Sequence, residues 1–133
     1  MTGFPRTNVG GVSVSKMIIG CNWITGYSHR GPASDHMIAE ANKNIEHATG
    51  IFTAFLKHDI DTVLGLFGED KGLEKAVKLA EDRTGKKMII MDEPILNMEN
   101  TPMARHEAEL AIKRCAERGA TFCLPLHSCT EQL

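Results

Sequence analysis

The chain has 133 residues, 42% of them apolar and 24% charged, the balance of one folded domain with a real core; disordered and fibrous classes are excluded. Its net charge is −2 and no basic run exceeds Lys86-Lys87, so nothing marks it for nucleic acid or an anionic membrane. No apolar stretch approaches the roughly 18 residues of a membrane span, and residues 1–6 lack the apolar segment of a signal peptide.

Along the chain, Val12-Ser13-Val14-Ser15 alternates with period two after Gly10-Gly11, which predicts a short leading strand or plug within residues 1–15. The first main strand covers 16–21, apolar through Met17-Ile18-Ile19. A long loop follows, rich in turn-formers from Thr25 through Gly31-Pro32. The first helix starts near Ser34-Asp35, either of which can cap it. Its apolar positions Ile38, Ala41, Ile45, Ala48, Phe52 and Phe55 step by three and four, which is one helical face. Gly50 weakens its middle, and its first half also reads as extra loop.

The second strand covers 61–67, and the second helix 70–84 with Leu73, Ala76, Val77 and Ala80 on one face, stopped by Gly85. The third strand, 87–91, runs into Asp92-Glu93-Pro94. The third helix opens on Asn100-Thr101-Pro102, a cap followed by proline, and ends at Gly119. Its buried face is Ala104, Ala108, Ala111 or Ile112, and Cys115. The fourth strand covers 121–126, and His127-Ser128-Cys129 reads as an extended tail beyond it.

Near-continuous apolar strands alternating with amphipathic helices specify a parallel α/β sheet. Three strand–helix units and a fourth strand are a (βα)3β segment, half of a (β/α)8 barrel of about 250 residues. The expectation is a single half-barrel domain over 1–133, with a plug in 1–15 and (βα)3β in 16–133. The alternative is a small doubly wound parallel sheet. Cys21-Asn22-Trp23 after the first strand is not GxGxxG, which argues against its nucleotide-binding form.

The run Asn8-Val9-Gly10-Gly11-Val12-Ser13-Val14-Ser15-Lys16-Met17-Ile18-Ile19-Gly20, followed by Asn22-Trp23, resembles the opening of a bacterial family of TIM-barrel proteins of uncharacterised activity. Gly119-Ala120-Thr121-Phe122-Cys123-Leu124-Pro125 is similar to that family's fourth strand. The resemblance covers nearly all of the chain but only the first half of such a barrel, and it implies a fold without an activity. The same opening weakly resembles aldo/keto reductases, but their catalytic Asp, Tyr, Lys and His have no matching positions here.

In a barrel-like sheet, function gathers where the strands end. Those ends offer Asn22 and Trp23, then Asp92 and Glu93, then His127 and Ser128. Asp92 or Glu93 is a candidate general base or metal carboxylate, and His127 a candidate acid–base group. Neighbours alternate sides at a strand end, so one carboxylate of the pair faces the centre; both also read as a solvated acidic turn before Pro94. Asn22, Trp23 and Ser128 are ligand-binding candidates, with Trp23 equally an interface anchor. His29 and His36 in the long loop read as solvated, and no metal site or cofactor is predicted. Cys21, Cys115, Cys123 and Cys129 fit neither a disulfide framework nor a zinc motif, which points to a reducing, cytoplasmic setting.

Two functions fit. One is a half-barrel module without assured catalysis that associates with itself as a homodimer or higher homo-oligomer. The other is an enzyme, metal- or acid–base-dependent, acting on a small molecule at the strand ends.

Overall fold

Gly10 and Gly11 sit at φ +55° and +83°, the left-handed region that glycine enters freely, and form the two-residue turn of a hairpin. Strands β1 (Arg6–Val9) and β2 (Val12–Ser15) pair antiparallel across it, with Arg6 opposite Ser15 and Val9 opposite Val12. The leading strand is thus one arm of a hairpin. Its partner escaped the sequence reading because Arg6-Thr7-Asn8-Val9 has no apolar alternation and is exposed throughout. The structure, a computed structural model, describes residues 3–131; the remaining residues of the expected domain, 1–2 and 132–133, lie outside the described part.

Four parallel strands make the main sheet: β3 (Ile18–Gly20), β4 (Thr62–Gly65), β5 (Ile89–Asp92) and β6 (Phe122–Cys123), adjacent in that order. The chain is therefore α/β with a parallel sheet, as the strand–helix rhythm predicted. The register aligns Ile19, Val63 and Ile90 in one row and Gly20, Leu64, Met91 and Phe122 in the next. Successive rows face opposite sides of the pleat. On the side of Ile19 and Val63 the core is closed by Phe52 and Leu56 of α3 (Ile45–Lys57) and by Leu73, Ala76, Val77 and Ala80 of α4 (Lys71–Thr84). Phe52, Leu56 and Val63 are fully buried. Each such side chain contributes about 2–3 kcal/mol.

The hairpin is fastened to the amino end of β4. Ser15 Oγ accepts hydrogen bonds from the amides of Asp61 and Thr62, both at 3.2 Å, and the Ser15 amide donates to Thr62 Oγ1 at 3.1 Å. Arg6 reaches Asp61 at 2.8 Å from the other arm. This docking shortens the first main strand. Ser15 Oγ donates to the Met17 carbonyl, and the Lys16 amide to that of Pro5, so pairing with β4 begins only at Ile18. At its other end Cys21 caps a short helix, α1 (Asn22–Thr25).

The expected first helix is two helices, α2 (Pro32–Asn42) and α3. Asn44 breaks it: its backbone is extended and its side chain accepts from the Glu46 amide at 3.0 Å, an N-cap. The three–four spacing runs across the break by coincidence, and α2 buries none of its residues. Neither Ser34 nor Asp35 caps α2. Pro32 starts it, being pre-set for the first turn, and Asp35 instead accepts from the Ser28 amide and hydroxyl at 2.7 and 2.6 Å. That pair of bonds holds the Asp35 carboxyl below its ordinary pKa.

Helix α4 follows its expectation, capped by Asp70 and ended by Gly85 at φ +68°. So does α5 (Pro102–Glu117), capped by Thr101 and burying Ala104 and Cys115; Ile112 turns outward. The fourth strand is two residues long, and the expected extended tail is a helical turn, α6 (His127–Thr130). Pro125 has no amide to donate, although the Leu124 and Leu126 amides still reach the carbonyls of Asp92 and Pro94. No helix among the described residues is long and apolar enough to cross a membrane.

Candidate ligand site at the carboxyl ends of the strands

Three strand ends converge on one depression. Strand β3 stops at Gly20 and the chain turns at once into α1, which leaves Asn22 and Trp23 at the strand end. Strand β4 stops at Gly65, where a Cβ would lie 2.8 Å from Cys21 Sγ and 2.9 Å from Cys21 Cβ; only glycine lets Cys21 pack there. After β5, the Glu93 amide donates to the Gly65 carbonyl at 3.0 Å, carrying the pairing one residue further. Gly20, Cys21, Asn22, Trp23, Leu64 and Glu93 line the resulting space of about 220 Å3.

Of the two candidate carboxylates, alternation sends Glu93 to this depression and Asp92 to the helix side. Asp92 is fully buried there. Its Oδ2 accepts from Arg118 Nε at 2.9 Å and Nη2 at 2.7 Å, while Oδ1 has no partner among the described residues. Asp92 is a structural anchor for the end of α5 and not part of the depression. The Glu93 carboxyl is half-buried, and burial raises its pKa above the ordinary 4.5. The charge of His127 opposes that rise and the charge of Asp92 adds to it. The Cys21 thiol is pushed up to about 12 by burial, then by the charges of Glu93 and Asp70, and so stays neutral.

Trp23 is 54% exposed, and the Arg30 guanidinium carbon lies 5.7 Å from its ring centroid, a cation–π contact. Asn22 Nδ2 donates to His29 Nε2 at 2.9 Å. His29 adopts φ +58°, uncommon for a residue with a Cβ, and that left-handed turn folds the loop back onto Asn22. His29 is exposed, as the sequence reading expected, but its bond to Asn22 and the Arg30 contact were not foreseen, since neither residue carries a local pattern that reveals a partner across a loop.

His127 and Ser128 lie exposed on α6 and do not line the depression, although the charge of His127 reaches Glu93. Cys129 turns inward and its sulfur accepts from the Leu96 amide at 3.4 Å. Among the described residues no three His, Cys, Asp or Glu side chains come together as a metal site. The chain matches no family profile, no curated protein and no solved structure. What the site can do rests on its own chemistry: an aromatic face, one carboxyl group, one amide and no lining cation.

Proposed function

We propose that this chain is a half-barrel module that completes its sheet by pairing with a second copy of itself. The observation that carries the reading is the strand order. β3, β4, β5 and β6 run in chain order without a reversal. Right-handed crossovers between consecutive parallel strands set every connecting helix on the same face, whereas a doubly wound sheet reverses its order partway. The contacts of α3 and α4 with Ile19 and Val63, and of Arg118 beyond α5 with Asp92, all fall on one side of the pleat.

The other side carries Ile18, Leu64, Met91, Phe122 and Leu124, with Ile18 45% and Leu124 50% exposed. Among the described residues β3 and β6 are open edges. A two-fold axis that lays β6 of each copy beside β3 of the other gives eight parallel strands, the number whose side chains fill a barrel interior. Both edges vanish and the apolar face is covered. The hairpin at the amino ends of the strands acts as a bottom plug, and the resemblance to TIM-barrel openings supports the same reading.

Light scattering at micromolar concentration tests it. The expected mass is twice the 14.6 kDa of one chain. A stable, cooperatively melting species of one chain's mass overturns self-pairing.

A further inference from the structure

We infer that the depression at the ends of β3, β4 and β5 binds a small primary amine in its ammonium form, held between the Trp23 ring and the Glu93 carboxylate. Gly20 and Leu64 lie on the face that self-pairing covers, so in a paired assembly the depression opens at the carboxyl-end rim; chain mass tests the pairing and ligand binding tests the site, and the two can fail separately.

Charge decides the class first. Glu93 is the one lining carboxyl, and the Cys21 thiol stays protonated. Asp70 adds its negative field from the start of α4, where it raises the same thiol. Arg30 over Trp23 and the charge of His127 on Glu93 oppose this field from outside the lining, and the carboxyl group inside it favours a cation over an anion. The Glu93 carboxyl makes no side-chain hydrogen bond or ion pair with a described residue; the charge of His127 reaches it, and a bound ammonium would supply a direct partner.

The aromatic wall agrees. The ring of Trp23 already receives one cation, Arg30, within the roughly 6 Å at which the quadrupole attracts charge. The amide narrows the class to amines that keep N–H groups. With Asn22 Nδ2 donating to His29, Oδ1 is left as an acceptor on a residue that lines the same depression as Glu93. Size sets the limit: about 220 Å3 falls below the roughly 300 Å3 at which drug-sized pockets begin. Leu64 forms the apolar floor, and Gly20 leaves the centre open, since a Cβ there would meet nothing within 4 Å.

Trp23 is the sole tryptophan, so its emission reports this site alone. The probe is n-butylammonium chloride, with n-butanol as the neutral isostere and butyrate as the anion. The expected result is a saturable change with n-butylammonium, and binding at least about tenfold weaker for the other two. Glu93→Gln removes the charge at constant shape, and Gly20→Val fills the space without straining the strand. Each is expected to weaken binding about tenfold or more while circular dichroism stays that of the wild type. Equal binding of n-butanol overturns the inference, as does a response that never saturates or one unchanged in both variants.

Discussion

At the scale of single residues, the charges at the end of β5 have opposite roles within two positions. Asp92 is sealed in and relies on one cation, Arg118, with its second oxygen unmet among the described residues. Removing one partner from a buried pair strands the other charge, which costs about 3–5 kcal/mol. Arg118 is partly exposed, which places Arg118→Met near the low end, about 3 kcal/mol, seen as a lower urea midpoint at unchanged slope. An unchanged midpoint would mean that water already satisfies Asp92. Glu93 predicts a pH effect instead. Its pKa is raised on folding, so between 4.5 and the raised value the native state keeps a proton that the unfolded chain has lost. Stability therefore falls as pH climbs through that window. Glu93→Gln should flatten this part of the stability–pH curve; the slope is modest because solvent screens the half-exposed group. The Asp92-Glu93 pair was legible in the sequence, and so was the rule that only one of them faces the centre. Which one was not, because the deciding partner lies 26 residues away in Arg118.

At the scale of elements, legibility followed the strength of local signals. Helix α4 could be read to its ends because Asp70, the apolar stripe and Gly85 agree. The long first helix was misread because apolar spacing outvoted Asn44, a cap residue in plain view. Strand lengths were overstated since apolar residues beyond each end serve other contacts, as Met17 does in the hairpin docking. The two glycines at the strand ends have different duties that no pattern separates. A methyl group at Gly65 collides with the Cβ of Cys21, which cannot swing aside, whereas one at Gly20 enters open space. Gly65→Ala is accordingly expected to lower stability by about 1–3 kcal/mol in chemical denaturation. Gly20→Ala should lie within about 0.5 kcal/mol of wild type. Equal effects at the two positions would mean that α1 shifts freely against β4.

At the scale of the whole molecule, the parallel sheet was legible because strands and helices alternate, while the face that each helix covers was not, because helix pattern does not record it. The unreversed strand order and the one-sided core are the observations behind the proposed pairing. They also identify residues whose only use would be across an interface. Ile18 and Leu124 lie on the uncovered side and remain about half exposed in the single chain. Replacing both with like charge, as Ile18→Glu with Leu124→Glu, removes no contact from the helix-side core and should leave the unfolding of one chain nearly unchanged. In the paired assembly the same charges would be forced into an apolar interior, where burying an unpaired ion costs several kcal/mol. The double variant is expected to scatter as one chain at concentrations where wild type scatters as two. Its melting temperature should lose the dependence on protein concentration that a self-paired fold must show. If the variant keeps the wild-type mass and concentration dependence, the pairing surface is elsewhere, and the exposed Trp23, Tyr27 and Met37 become the next surface to charge.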